Sequence, residues 1–161
     1  MKINRIEELR IFIDKTVSNV KNDELRRHGY VHLYGVSQFC AMIALKRNQD
    51  VELATMAGML HDLYTYKMMD SKGHAKKGSL LAKEILDSLK LTTSVETEII
   101  CSAILKHSDK KSRHSDFTEV LVDADVLQHY LYNVSLPIIE KDSERLASLM
   151  DEFGLTPIPF N

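Results

Sequence analysis

The spacing of apolar residues is helical along almost the whole chain. Apolar side chains recur three and four positions apart, as in Leu9, Ile13 and Val17, and no segment sustains the alternation that a half-buried strand needs. The 161 residues fit one domain with an ordinary core. The sequence therefore predicts an all-α fold, a single-domain bundle of about six to seven helices over residues 1–161.

The periodicity and the capping residues predict seven helical segments. In chain order they are residues 3–20, residues 30–47 after a polar stretch, a helix capped by Asp50, a helix ending near Leu89, a helix opened by the capping box of Thr93 and Glu96, residues 116–133, and a helix from Pro137 to just before Gly154. The tail with Pro157 and Pro159 is interpreted as a short strap. The first and last helices and this tail are expected to pack on a central core.

Composition narrows the class of protein. The 21 basic and 23 acidic residues leave a net charge of -2, which indicates neither stable nucleic-acid binding nor binding to a membrane surface. Cys40 and Cys101 lie among apolar neighbours and are predicted to be buried thiols in a reducing compartment. The charged N-terminus has no signal-peptide core, and no run is long enough to span a bilayer. We therefore expect a cytoplasmic protein.

Several ionisable residues fall on the apolar faces of the predicted helices. His32 lies four positions before Val36 on the second helix, and His61 lies four positions after Ala57 on the third. The same spacing applies on the fifth and sixth helices to two further residues, His107 and Asp125. Four helices therefore each direct a side chain that can bind metal toward the core.

Two carboxylates, Asp62 and Asp125, are predicted to point inward with no Lys or Arg on the same helix faces. A buried carboxylate is costly unless it is paired. Asp62 also lies four positions after Gly58, which allows another helix or a ligand to come close. A lone histidine on an apolar face is usually a hydrogen-bonded core residue, but the convergence of several favours a divalent cation. Imidazole and carboxylate ligands together suit Mn, Fe, Co, Ni or Zn.

Five segments, HLYGV, LATMAGMLHDL, HAKKGSLLAKEIL, ICSAILKHS and LVDADVLQ, resemble the successive signatures of the HD-domain superfamily of metal-dependent phosphohydrolases. The resemblance covers about residues 28–130. It implies that the metal ligands are the first His, the His-Asp pair and the last Asp, which correspond here to His32, His61, Asp62 and Asp125. Asp125 is preferred to Asp123 because the last Asp of the family follows Ala and precedes an apolar turn.

Two more histidines, His74 and His107, resemble the extra ligand pair of the binuclear branch, which includes dinucleotide polyphosphate hydrolases and cyclic-di-nucleotide phosphodiesterases. The resemblance implies one or two divalent transition-metal ions, with Asp62 as the bridge if there are two. His74 is equally well explained as a solvent-facing residue at a helix N-terminus. The sequence LYTYK replaces the Gly-Lys that usually follows the His-Asp pair, so the general acid stays unassigned.

The implied function is a metal-dependent phosphohydrolase that uses metal-activated water on a phosphomonoester or phosphodiester, with a small nucleotide-like substrate. Asp62 and Lys67, five positions later, are the predicted catalytic residues. The predicted substrate contacts are Lys77 and Lys106, each within one turn of a candidate ligand, and His114 in a Ser-rich loop. The other basic residues of these stretches, among them Lys110, are interpreted as solvated surface.

Three questions stay open in the sequence. The same ligand set resembles the di-iron site of inositol-oxygenase-like members, so an oxygenase is an alternative to a hydrolase. A non-catalytic module stabilised by a metal is a third possibility. His28 and His129 each lie four positions from a candidate ligand, and each is either beside the site or directed to solvent. The sequence predicts no oligomeric state.

Overall fold

Eight α-helices and one 3₁₀ turn form the regular structure of residues 4–156, the part of the chain that the computed structural model describes. The tail with Pro157 and Pro159 lies outside the described residues. The helices are α1 Arg5–Ser18, α2 Asp23–Lys46, α3 Val51–Leu60, α4 Leu63–Met68, α5 His74–Leu89, α6 Ser94–Lys106, α7 Asp116–Tyr132 and α8 Ser143–Glu152, with the 3₁₀ turn at Glu140–Asp142. No strand occurs within these residues, so the all-α prediction is confirmed.

The second helix begins earlier than predicted. The polar stretch before Tyr30 is helical, because the side chain of Asn22 accepts a hydrogen bond from the Leu25 amide and caps the N-terminus. Asp23 and Glu24 occupy the first turn, where acidic residues are stabilised by the helix dipole. The predicted start at residue 30 was therefore wrong, since a capped, charged first turn carries no apolar periodicity.

Two other boundaries differ from the prediction. The six-residue helix α4 was not predicted, because one and a half turns are too short to show a period. Pro137 does not begin a helix, since Ile139 is extended (φ -67°, ψ 119°) and the chain turns through Glu140–Asp142 before α8 starts at Ser143. The remaining helices, including the Thr93 and Glu96 capping box, agree with the predicted segments.

Helices α3 and α7 are almost entirely buried and form the centre of the fold. The 24-residue helix α2 packs along both of them. A Cβ atom at Gly58 would lie 2.6 Å from the Cα atom of Ser37, so α2 and α3 can approach this closely only because position 58 is glycine. A neighbouring helix therefore takes the space beside Gly58.

The two thiols have different surroundings. Cys40 is fully buried, and burial raises the pKa of its thiol. Cys101 is only half-buried, so the prediction that both are buried was wrong for Cys101. It packs against the edge of the core, whereas Ile100 and Ile104 of the same helix are fully buried. Among the described helices, none has the length and apolar character required to cross a membrane.

Candidate metal centre

Six side chains from the predicted ligand set meet at one place in the fold. They come from the middle of α2 and α7, from the segment between α3 and α4, from the first residue of α5 and from the residue that follows α6. In chain order they are His32, His61, Asp62, His74, His107 and Asp125. The six residues span 94 positions of sequence, so the packing of the helices creates the cluster.

Four of these side chains surround one position. The Nε2 atoms of His32 and His61 are 3.1 Å apart. Asp62 Oδ2 lies 3.4 Å from His32 Nε2 and 3.6 Å from His61 Nε2. Asp125 Oδ1 lies 3.6 Å and 4.0 Å from the same two nitrogens. Two imidazole nitrogens and two carboxylate oxygens thus converge.

A second group shares Asp62 with the first. The Nε2 atoms of His74 and His107 are 3.3 Å apart. Asp62 Oδ1 lies 3.5 Å from His74 Nε2 and 3.4 Å from His107 Nε2. Asp62 therefore directs one carboxylate oxygen to each histidine pair, which is the arrangement of a ligand that can bridge two ions.

Hydrogen bonds to backbone fix the protonation of three histidines. The Nδ1 atoms of His61, His74 and His107 lie 2.8, 3.0 and 2.7 Å from backbone carbonyl oxygens. A carbonyl oxygen only accepts a hydrogen bond, so each Nδ1 carries the proton. In the neutral ring Nε2 then presents its lone pair to the cluster, as a metal ligand must. The acceptors belong, in the same order, to Gly58, Ser71 and Ile104.

His32 is oriented by a side chain that the sequence analysis did not identify. Its Nδ1 lies 2.7 Å from the Oε1 atom of buried Gln128 on α7. This oxygen accepts the Nδ1 proton, so His32 also presents an unprotonated Nε2. Gln128 lies three positions after Asp125, and this spacing on a buried helix face is the signal that could have identified it.

Two of the oxygens that face the histidines have no hydrogen-bond donor among the described residues. Asp62 Oδ1 and Asp125 Oδ1 are both buried and accept no hydrogen bond. Ligands that lie about 2.1 Å from an ion in tetrahedral or octahedral geometry are separated by roughly 3.0 to 3.4 Å. The separations in the second group, 3.3 to 3.5 Å, are close to this range, and those in the first extend from 3.1 to 4.0 Å. The residues of each group can therefore close around a divalent ion.

The other oxygen of Asp125 is paired. Lys110 Nζ lies 2.8 Å from Asp125 Oδ2, and only 8% of the Lys110 side chain is exposed. No Lys or Arg lies on α7 itself, in line with the expectation for its helix face, but a lysine from another element pairs with Asp125. The interpretation of Lys110 as solvated surface was therefore wrong. The reason is that Lys110 reaches Asp125 from the loop after α6, whereas the prediction considered only residues on the same helix face.

The pKa values reflect this crowding of charges. Burial lowers the pKa of His61 to about 4, so the ring is neutral at physiological pH. Burial also acts to lower the pKa of His32 and His107, but the nearby carboxylates, Asp62 foremost, outweigh it and raise both. Burial acts to raise the pKa of Asp62, yet the surrounding histidines hold it well below its ordinary value.

Of the two predicted catalytic residues, Asp62 lies within the cluster, whereas Lys67 and the predicted substrate contacts lie outside it. Lys67 and Lys106 are exposed, and Lys77 Nζ pairs with Asp70 Oδ2 at 2.8 Å. The Nε2 atom of His114 donates a hydrogen bond to a backbone carbonyl at 2.8 Å within its own loop. The structure records no contact of any of the four with the clustered carboxylates.

His28 and His129, for which the sequence left open a position beside the site or in solvent, lie beside the cluster. The His129 ring stacks on His32 with centroids 5.1 Å apart, and its Nδ1 lies 3.7 Å from Asp125 Oδ1. The His28 ring lies 5.8 Å from that of His32, and its Nδ1 is hydrogen-bonded to the Tyr66 hydroxyl at 2.8 Å. Both retain solvent exposure, so they form a rim around buried His32.

Both the sequence and the fold of the chain are similar to those of known proteins. Ribonuclease Y of Lawsonia intracellularis is 31% identical over 125 residues, which are 76% of this chain and 22% of that protein. The chain thus spans about a fifth of the length of this relative. A crystal structure of a predicted HD superfamily hydrolase from an uncultured Thermotogales bacterium superposes with a TM-score of 0.61 at 16% identity, covering 92% of this chain and 88% of that one.

The structural neighbour shows the same fold. The model of the HD domain family matches residues 29–151, which include all six clustered side chains. The resemblance seen in the sequence motifs is thereby confirmed. Because this match covers most of its length, the chain belongs to the HD domain family.

Proposed function

We propose that the chain is a metal-dependent hydrolase whose six clustered side chains bind one or two divalent transition-metal ions. The observation that carries this proposal is the 3.1 Å approach of the His32 and His61 Nε2 atoms, because both rings carry their proton on Nδ1. Two nitrogen lone pairs at this distance repel each other unless a proton or a metal ion lies between them, and the buried carboxylate oxygens without hydrogen bonds beside them favour the metal ion. The pair of His74 and His107 repeats the arrangement at 3.3 Å.

The ligand types support particular ions. Each proposed site combines two imidazole nitrogens with carboxylate oxygens, a mixture that suits Mn, Fe, Co, Ni or Zn. The first site is held by His32, His61, Asp62 and Asp125, and the second by Asp62, His74 and His107. The second has fewer protein ligands and includes the more exposed His74, so we propose that it binds its ion more weakly and leaves more positions open.

The chemistry follows from this ligand set. A bound ion would lower the pKa of a coordinated water toward neutrality and polarise a phosphoryl oxygen. Each oxygen of Asp62 faces one of the two histidine pairs. His61 is buried and neutral, so the lone pair of its Nε2 atom is available to a metal ion. His28 and His129 border the open side of His32, so we place the substrate entrance there.

A phosphoester is the substrate class that we propose, with a small nucleotide-like molecule favoured. The relative named ribonuclease Y supports a phosphodiester bond. The net charge of -2 argues against stable binding to a nucleic-acid chain. Lys67 as a catalytic residue and Lys77, Lys106 and His114 as substrate contacts stay predictions, and Lys77 would have to release Asp70 to bind a phosphate.

Metal analysis followed by a substrate screen tests the proposal. The purified chain is loaded with Mn²⁺ or Ni²⁺ and assayed on p-nitrophenyl phosphomonoesters and phosphodiesters and on nucleotides. We expect Asp62→Asn to lose both bound metal and turnover, whereas Asp87→Asn, in an exposed ion pair with Lys83, keeps both. A wild-type chain that binds no divalent metal contradicts the proposal, and turnover by a metal-free Asp62→Asn variant refutes the bridging role.

The same cluster fits a second activity. Two pairs of histidines joined by Asp62 also resemble a di-iron oxygenase site, and the geometry is equally suitable for that metal pair. Two bound irons and an absorbance change under oxygen would identify an oxygenase. Bound metal with neither reaction would identify a non-catalytic module that the metal stabilises.

A further inference from the structure

Lys110 is a buried cation that the proposed function leaves without a role. Its Nζ atom lies 2.8 Å from Asp125 Oδ2 and 3.8 Å from Asp142 Oδ2. A lysine with 8% of its side chain exposed is costly to bury unless its charge is compensated. Two carboxylates from different elements, α7 and the turn before α8, therefore hold this ammonium group in one position.

The backbone of Lys110 is fixed as well. Its carbonyl oxygen accepts hydrogen bonds from Nε and Nη2 of Arg145 at 3.4 and 3.2 Å. Arg145 is itself held by Glu119 and Asp123, each at 2.7 Å. The loop after α6 is thus attached to both α7 and α8. Because the backbone of Lys110 is fixed in this way, its ammonium group has a defined position beside Asp125.

Because of this contact, the two oxygens of Asp125 have different partners. Oδ2 is occupied by Lys110, whereas Oδ1 accepts no hydrogen bond and lies 3.6 Å from His32 Nε2. We infer that Lys110 is a positioning residue that holds the Asp125 carboxylate so that Oδ1 alone is presented to the first metal ion. This inference rests on the proposed metal site. Without Lys110 the carboxylate can rotate toward His129, whose Nδ1 is 3.7 Å from Oδ1.

A purely electrostatic role for Lys110 predicts the opposite change in metal affinity. If Lys110 served only to neutralise Asp125, its ammonium group would compete with the metal for the carboxylate charge, and its removal would tighten metal binding. If Lys110 positions Asp125, removal weakens binding, because outer partners of metal ligands typically contribute about 10- to 100-fold in affinity. The direction of the change therefore separates the two.

The experiment measures Mn²⁺ binding by titration calorimetry and by the electron paramagnetic resonance spectrum of the bound ion. We expect Lys110→Met to bind the first Mn²⁺ on the order of 10- to 100-fold more weakly with a broadened spectrum. Lys110→Arg should recover most of the affinity, since it restores the cation. The matched control is Lys83→Met, which breaks an exposed ion pair and should bind like the wild type.

Unchanged or tighter binding by a folded Lys110→Met variant overturns the inference while leaving the proposed function intact. Absence of Mn²⁺ binding by the wild type contradicts the proposed function itself. If Lys110→Met does not fold, Asp142→Asn provides the test, because it loosens Lys110 and keeps the contact with Asp125. It should weaken binding several-fold, and wild-type affinity in this variant would contradict the positioning role.

Discussion

Helix α7 carries two buried aspartates, two positions apart, that face opposite sides and have different partners. Asp123 is held by Arg47 and Arg145, with one guanidinium at 2.7 Å from each carboxylate oxygen. Asp125 pairs with Lys110 through one oxygen and leaves the other facing His32. The same residue type on one helix thus belongs to a closed ion-pair cluster on one side and to an open cluster on the other.

The difference shows what distinguishes a structural cluster from a binding site. We call the closed group the arginine cluster; it comprises Arg47, Glu119, Asp123, Arg145 and Glu152. Its buried carboxylates are each matched by a guanidinium, so it links α2, α7 and α8 without requiring a ligand. The proposed metal centre instead has two buried carboxylate oxygens without hydrogen bonds and imidazole nitrogens that face one another. Unmet bonding capacity, and not burial of charge, marks the site.

The largest expected effect separates the two aspartates directly. Asp125→Asn should weaken binding of the first Mn²⁺ by about 100-fold or more, because a neutral amide replaces a charged ligand. Asp123→Asn should change this affinity by less than about threefold, since Asp123 contacts arginines only. Equilibrium dialysis of the two variants against Mn²⁺ measures both. Equal losses in the two variants would remove the distinction between the clusters.

A second prediction concerns the stability of the fold, to which we expect the arginine cluster to contribute without affecting metal affinity. Arg47→Met should lower the free energy of unfolding by about 2 kcal/mol; breaking a buried pair costs about 3–5 kcal/mol, but Arg145 still holds Asp123. The loss arises because Glu152 and one oxygen of Asp123 lose their partner. Urea unfolding measures it, and Mn²⁺ affinity should stay close to wild type. A variant as stable as the wild type would mean that the arginine cluster does not stabilise the fold.

The inward orientation of the proposed ligands on helices could be predicted because helical periodicity encodes direction. His32, His61 and Asp125 each continue an apolar face, so their inward orientation follows from spacing alone. The separation of Asp125 from Asp123 required the family resemblance, because both have apolar neighbours. The arrangement of Asp62 between two histidine pairs depends on how α3, α5 and α6 pack, which no local pattern specifies.

The residues that the sequence analysis missed lie where periodicity ends. Lys110 follows α6 in a loop, and its direction is set by Arg145, a contact across 35 positions of sequence. The lysines that were chosen, Lys77 and Lys106, were selected by closeness in sequence to candidate ligands, yet Lys106 is exposed and Lys77 pairs with Asp70. Closeness along a helix therefore did not indicate which cation reaches the buried carboxylates.

The third prediction uses pH to separate the clusters. Despite their burial, the pKa values of His32 and His107 are raised above 6.5 by the nearby carboxylates. Without metal, both rings therefore stay protonated at a higher pH than an ordinary histidine. Metal must displace these protons, so Mn²⁺ affinity should fall as the pH falls below the raised pKa values, by up to roughly tenfold per pH unit for each proton displaced. Calorimetry at several pH values measures the slope, and a flat profile would show that these histidines are not ligands.

The arginine cluster should respond at a lower pH. The hydrogen bond from Arg47 holds the pKa of Glu152 below its ordinary value of 4.5. A lowered pKa stabilises the fold above that ordinary value, and the contribution is lost as the pH falls through the lowered one. The difference in unfolding free energy between wild type and Arg47→Met should therefore be constant near neutrality and shrink below about pH 4.5.

The smallest expected effect tests how far the open cluster extends. Gln128→Met keeps a side chain of similar length but removes the oxygen that accepts the His32 Nδ1 proton. The ring can then turn or change tautomer, so Mn²⁺ affinity should fall by about tenfold, at the low end for outer partners of metal ligands. The matched control is Gln38→Met, at an exposed position of α2. If both variants bind Mn²⁺ equally, packing alone orients His32, and the cluster ends at its six proposed ligands and Lys110.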